Sequence, residues 1–272
     1  YIDENFKNLI KFQIEKNEKE IKFDIFLNLK YLDLLVEDIS YKKDKNKKAT
    51  LQIKGYERNK KFFLENISYK ESNNIIELNN LVINNNKIFN IDKVRFNYLT
   101  NNNFKNQVNL IKKKDGNYKL TGKSFDSIQL IKNISNSDTD KNFFEIFKNL
   151  NTKINIIIDR IKLDDKNILK SLNGNIIIKS SKINDLNLNS NFSNKEKLFV
   201  KIKTKNDNSI VTTFYSDRAK PFVKKYKFIK GFEGGTLDFS SIKVNKVSKS
   251  KLIIDNFKVK EIPVLAKILT LA

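Results

Sequence analysis

The chain contains no histidine, no cysteine, no methionine and no tryptophan. Without His or Cys it cannot build a zinc finger, an iron–sulfur centre, a haem ligand pair or a disulfide framework. Nor can it assemble a Ser-His-Asp or Cys-His nucleophile, so neither catalytic residues nor a metal are expected, and the chain is not read as an enzyme. A cysteine-free chain tolerates the cytosol and the periplasm equally. The missing methionine leaves no initiator and predicts a segment of a longer chain. Seven glycines and two prolines in 272 residues exclude collagen-like and linker-like architectures. Arginine is scarce too: Arg58, Arg95, Arg160 and Arg218 stand against 53 basic residues in all.

What is present points to a packed protein. Apolar residues make up 39 % of the chain, with 21 Phe, 9 Tyr and abundant Ile, which excludes wholesale disorder. The net charge of +22 invites a polyanion-binding reading. Recognition of phosphate or guanine favours Arg, however, and here the cations are Lys spread along the whole length among many Asn. That pattern reads as compositional drift that places Lys at any solvated position, and no nucleic-acid partner is expected. Anionic phospholipid headgroups would be served by the same charge.

The dominant pattern is apolar/polar alternation with period two, the mark of half-buried strands. Phe23, Ile25 and Leu27 alternate with polar residues in one run. Further runs carry Leu51 and Ile53, Val94 and Phe96, Val108 and Leu110, and Tyr118 and Leu120. In the second half the alternating positions are Ile154, Ile156 and Ile158, Ile176 and Ile178, Leu186 and Leu188, and Val200 and Ile202. Leu237 and Phe239, then Leu252 and Ile254, complete the set. Short polar connections such as Lys42–Lys48, Asn84–Lys87, Asn101–Asn103 and Lys205–Ser209 separate the runs. The spacing predicts an antiparallel meander without βαβ units. Helices are predicted over Ser127–Ile134, over Asp217–Phe228 with Asp217 as cap and Pro221 in the first turn, and over Pro263–Ala272. Lys141–Asn149 is a fourth candidate.

A meander this long has one apolar face and few helices to cover it. It can fold into a sandwich, close into a barrel, or curl into an open groove filled by a ligand. Aromatic girdles of the kind that mark lipid-facing barrel strands are missing, which argues against a transmembrane barrel.

Three stretches carry a resemblance. Tyr118–Lys119–Leu120–Thr121–Gly122–Lys123–Ser124–Phe125–Asp126–Ser127 leads from a strand through a glycine to a helix. Tyr215–Ser216–Asp217–Arg218–Ala219 runs on to Gly231–Phe232–Glu233–Gly234–Gly235–Thr236–Leu237. The stretch Leu252–Leu269 contains Asp255, Asn256, Phe257, Val259 and Pro263. Together they resemble the YhdP branch of the AsmA-like envelope proteins of Gram-negative bacteria, over Tyr118–Ala272. Two features depart from the branch's pattern: Asn256 separates Asp255 from Phe257, and Lys stands at many positions where Arg, Gly or Ala is expected.

The resemblance implies a mainly β fold, a long curled antiparallel sheet forming an open apolar groove with a few short helices. It implies a periplasmic, inner-membrane-anchored parent that moves phospholipids toward the outer membrane without catalysis or cofactors. Residues 1–115 are read as a groove-forming β segment by extension and 116–272 as the AsmA-like segment. The lipid-lining residues expected are the alternating positions Phe23, Ile25, Leu27, Ile154, Ile156, Ile158, Ile176, Ile178, Leu186, Leu188, Val200, Ile202, Leu237, Phe239, Leu252 and Ile254. Their partners would be phospholipid acyl chains.

The remaining motifs have plainer readings. Gly231, Gly234 and Gly235 match no phosphate-binding loop and predict a tight turn with positive φ. Asp164 and Asp165 predict a loop or strand end, the alternative being a cation site. Phe143–Phe147 reads as core, and the Pro263–Ala272 helix as a lid on the sheet or a membrane-surface helix. A closed sandwich serving as an interaction or spacer domain remains the structural rival, and a nucleic-acid module the rival based on charge.

Overall fold

The computed structural model describes residues 9–135, 151–180, 182–223 and 232–259. The candidate helices at 141–149 and 263–272, the end of the predicted 217–228 helix, and Gly231 lie outside the described residues.

The first half runs β1 (Ile10–Lys16), β2 (Ile21–Asn28), β3 (Leu34–Val36), a 3-10 turn (Glu37–Ile39), β4 (Tyr41–Lys43), β5 (Thr50–Arg58) and β6 (Lys61–Glu71). It continues through β7 (Asn74–Asn84), β8 (Lys87–Asn90), β9 (Lys93–Leu99), β10 (Lys105–Lys112), β11 (Tyr118–Asp126) and α1 (Ile128–Ser135). After it come β12 (Thr152–Lys162), β13 (Ile168–Lys179), β14 (Lys182–Asn191), β15 (Lys197–Thr204), β16 (Ile210–Ser216), α2 (Lys220–Val223), β17 (Phe232–Val244) and β18 (Val247–Val259).

All of these strands except β3 and β4 join one sixteen-stranded sheet in the order β1-β2-β5-β6-β7-β9-β10-β11-β12-β13-β14-β15-β16-β17-β18, with β8 added to β7. The sheet is open. Its edges β1 and β18 do not pair, so no barrel closes, and β3–β4 is the only other sheet among the described residues. Apart from the two-stranded β3–β4 sheet, no second sheet faces it among those residues, so it is not a sandwich. The point dividing 1–115 from 116–272 falls in the β10–β11 turn, inside the continuous sheet.

One pair departs from the predicted antiparallel meander. β11 and β12 are parallel, Tyr118 opposite Ile154 and Asp126 opposite Lys162. Parallel neighbours need a crossover, and α1 begins it. The predicted helix over Ser127–Ile134 is this α1. Its first turn is capped by Asp126, whose Oδ1 accepts the Ile128 N–H at 3.0 Å. Asp217 does not cap α2. Its carboxylate accepts the Lys197 N–H at 2.6 Å and the Tyr215 hydroxyl, so it ties β15 to β16 instead.

Asparagine makes the tight turns that so few glycines could not. Asn59 and Lys60 have φ of 52° and 60°, and Asn85 and Asn86 have 47° and 58°. These are consecutive left-handed residues of the kind that two-residue hairpins need, and Asn adopts that region more easily than most side chains. The glycine pair forms no turn. Gly234 and Gly235 (φ 70° and 80°) lie within β17 opposite Asn256 (φ 54°), where the ladder is interrupted. The register is the same on both sides of that missing rung, so Asn256 on β18 is matched by Gly235 on β17.

Three small elements emerge at the same strand-end rim of the sheet: the 29–49 insertion bearing β3–β4 after β2, α1 after β11, and α2 after β16. The Lys42–Lys48 connection lies inside that insertion. This edge, which also carries the two-residue Ser72–Asn73 turn, is called the helix rim below, and the opposite one, with the turns at 59–60, 85–86 and 245–246, the turn rim.

The insertion packs Tyr41, Val36 and Ile39 onto Leu51, Tyr69, Ile76 and Phe96 of the sheet. Tyr41 and Tyr69 meet edge to face at 5.5 Å with their hydroxyls 2.7 Å apart, and Tyr41 donates to Glu71. Tyr98 donates to the Ile39 carbonyl at 2.8 Å and accepts from Asn106. Lys43 is fully buried, and its ammonium donates to the carbonyls of Leu32 (2.6 Å), Asp44 (3.1 Å) and Lys30 (3.4 Å). A buried charge without such acceptors would cost several kcal/mol. At the far end of the same rim, α2 covers Leu237 and Phe239 through Ala219, Phe222 and Val223.

Candidate functional site: the apolar face

Residues directly opposite in a sheet share a face, so register converts the alternation into a surface. One row crosses every strand of the main path. It runs Phe12–Ile25–Ile53–Ile67–Leu78–Val94–Leu110–Leu120 through the first half. It continues Ile156–Gly174–Leu188–Val200–Phe214–Phe239–Leu252. Every member is apolar, and only Gly174 lacks a side chain. With strands about 4.8 Å apart, the row has a contour of about 65 Å.

Parallel rows widen it. Toward the helix rim, Leu27–Leu51–Tyr69–Ile76–Phe96–Val108–Gly122–Ile158 follow in register. Toward the turn rim, Tyr118–Ile154–Ile176–Leu186–Ile202 do the same. All sixteen residues expected to line a groove therefore lie on one face. Phe23 and Ile178 sit on it nearer the turn rim, and Leu237 and Ile254, paired in register, nearer the helix rim.

The reverse face is of opposite character. Its row beside the first reads Gln13–Asp24–Lys54–Asn66–Asn79–Lys93–Ile111–Lys119 and then Asn155–Asn175–Asn187–Lys201–Thr213–Ser240–Lys251. A single isoleucine interrupts an otherwise polar line.

Burial varies along the apolar face. At the centre Ile156 and Ile158 are 6 % and 2 % exposed, in a cluster with Val108, Leu169 and Leu198. At the two edges Phe12 and Leu252 are 69 % and 48 % exposed. Near the turn rim an open recess of about 430 Å³ is lined by Ile21, Phe23, Phe62, Glu57 and Lys60.

Glycines on this face mark close strand approaches. A Cβ on Gly122 would lie 2.6 Å from the Gln107 carbonyl oxygen, at a register shift in β10. Such shifts bend strands and increase local twist.

The alternation also missed part of the face. Leu64, Ile67, Leu78 and Leu81 belong to it, yet β6 and β7 show no clean period of two. Glu65 is an extra residue in β6, opposite Asn80 (φ 50°) in β7, and each strand's alternation shifts phase there. The asparagine pairs that flank these strands were the available signal.

Among the described residues no group of His, Cys, Asp or Glu could hold a metal ion, and no helix is long and apolar enough to cross a membrane. Asp164 and Asp165 form the β12–β13 turn: Asp164 accepts the N–H groups of Lys166 and Asn167, and Asp165 pairs with Lys162 at 3.2 Å. No family model, no curated protein and no solved structure matches the chain.

Proposed function

We propose that this chain is a non-enzymatic lipid-transfer segment whose apolar face holds phospholipid acyl chains. The observation that carries the reading is the apolar row from Phe12 to Leu252, free of polar side chains and backed by a polar row. An acyl chain needs only a dry surface, gaining about 0.8 kcal/mol per buried CH₂. A row without polar side chains offers no point at which it is held more strongly than elsewhere. Such a surface favours sliding over docking. In this reading the chain belongs with the AsmA-like envelope proteins of the YhdP branch. It works in the periplasm as part of an inner-membrane-anchored parent, carrying lipid toward the outer membrane.

The test is uptake. Delipidated protein mixed with vesicles carrying a photo-crosslinkable phospholipid should become labelled, with crosslinks on β2, β12 and β14 side chains of the apolar face. Labelling should survive about 1 M salt, where the Debye length is about 3 Å, because apolar burial is not screened. No labelling, or labelling only on the polar face, overturns the proposal.

A further inference from the structure

The two open edges of the sheet are not alike. β18 is blunted: its ladder is interrupted at Asn256, and it carries Lys249, Lys251 and Lys258 against one acid, Asp255. β1 has none of the breaks that keep an edge strand from pairing. It holds no proline, no positive φ and no register shift, and it meets β2 rung by rung from Ile10–Leu27 to Lys16–Ile21. All its residues are exposed, with Ile10 60 % and Ile14 58 % solvated on either side of Phe12.

Its main-chain groups alternate between β2 and the open edge. The Asn28 N–H donates to the Leu9 carbonyl at 2.6 Å and the Asn17 N–H to the Glu20 carbonyl at 3.0 Å, so the odd-numbered residues between them bond to β2. The N–H and C=O groups of Ile10, Phe12, Ile14 and Lys16 therefore point outward, and no strand among the described residues meets them.

This edge is complementary to itself about Gln13. Set antiparallel against a copy so that Gln13 meets Gln13, it places Phe12 opposite Ile14 and Lys11 opposite Glu15, each twice. Even-numbered residues then face even-numbered ones, so the outward donors and acceptors meet. The Phe12–Ile14 contacts fall on the apolar face and the Lys11–Glu15 pairs on the polar one. Within the chain Glu15 accepts from the Gln13 side-chain amide at 2.8 Å, and Lys11 forms no ion pair among the described residues. A one-residue slip turns outward groups against inward ones, and a two-residue slip either way separates Lys11 from Glu15. A lysine on an edge ordinarily repels other strands. Here it selects the one strand that offers a carboxylate in register.

We infer that β1 is a self-pairing edge, at which two copies of this chain join antiparallel about a two-fold axis through Gln13, normal to the sheet. An axis in that direction keeps each face on its own side, so the two apolar faces become one. The contact closes at two copies, whereas β1 on β18 of another copy would add chains without limit. The inference does not depend on what the apolar face holds.

The experiment is sedimentation equilibrium of the full chain over about 1–100 μM, the range suited to a contact this small. The native chain should show a reversible equilibrium between the chain and a species of twice its mass. In hydrogen exchange the Phe12 and Ile14 amides should be fast in dilute solution and slow in the dimer. Lys11→Glu and Glu15→Lys should each weaken association about tenfold, because two attractive cross-strand pairs become repulsive. Mixing the two variants should restore native association, since every pair again joins Glu to Lys. Both positions are solvated, so dichroism and thermal midpoint should match the native chain and keep loss of association apart from loss of fold.

A native chain that stays monomeric throughout overturns the inference. So do assemblies that grow beyond two copies, which would bring β18 into the contact, and a mixture of the variants that associates no better than either alone.

Discussion

Gly174 lies against Asn187 so closely that a Cβ built on the glycine would stand 1.9 Å from the Asn187 carbonyl oxygen and 3.0 Å from the Leu188 Cα. The one gap in the long apolar row is therefore imposed by main chain: β13 and β14 approach there more closely than any side chain allows. Gly174 has φ 148° at this point, and the β13–β14 register shifts just before it, between Lys170 and Asn173.

Replacing Gly174 with Ala should accordingly destabilise the sheet by about 2–4 kcal/mol, since the clash is with backbone that cannot rotate away. Gly116→Ala is the comparison. Its φ is 80° but nothing lies within 4 Å, so only the left-handed strain of about 1–2 kcal/mol applies. Urea midpoints of the two variants, with m-values unchanged, measure the difference.

The exposed ends of the row separate function from folding. Phe12→Asp and Leu252→Asp alter side chains that are largely solvated, so each should move stability by less than about 0.5 kcal/mol. Both should reduce photo-crosslinking of lipid at the sheet edges, because each puts a charge where an acyl chain would lie. Thermal denaturation and crosslinking yield on the same samples check the pair of outcomes.

Alkaline pH should loosen the 29–49 insertion. Burial pushes the phenols of Tyr69 and Tyr98 up to about 12, and burial together with the hydrogen bond to Glu71 pushes Tyr41 higher still. In each case the folded state keeps a proton that the unfolded chain releases near pH 10. The stabilisation is thus complete below pH 10 and is lost as pH rises from about 10 through 12. Tyrosinate absorbance should therefore show part of the nine tyrosines titrating late and together with loss of near-ultraviolet dichroism. Tyr98→Phe should lower that apparent transition, as it removes the bond to the Ile39 carbonyl.

Lys43 offers a sharper probe of the same insertion. Lys43→Met keeps the length of the stem but strands three main-chain carbonyls that now accept from the ammonium. A loss of about 1–3 kcal/mol is expected. Hydrogen exchange should show faster amides in residues 29–49, with the β12–β16 core unchanged.

The face itself was largely legible in the sequence because period two maps directly onto it: Ile154, Ile156 and Ile158 needed no further information to be placed together. The contribution of β6 and β7 was not, since Glu65 and Asn80 shift the phase within single strands and no local count reveals which residue is the extra one. The parallel β11–β12 pair was invisible for a different reason. Alternation reports which face a residue takes and says nothing of strand direction. Asp217 illustrates a third limit. Asp before a helical pattern reads as a cap, but here the nearer N–H was that of Lys197 across the sheet.

The parallel seam also shapes how the protein comes to be folded. Most antiparallel neighbours in β12–β18 can zip outward from a nearby turn, β16–β17 with its α2 connection excepted, whereas each rung of β11 against β12 joins residues the whole crossover apart, from Tyr118 with Ile154 to Asp126 with Lys162. Closing that loop costs chain entropy before any rung forms. Two half-sheets should thus mature separately, each with a bare apolar flank at the seam, and their late joining is the kinetic step at which wrong pairing between molecules competes with the right one.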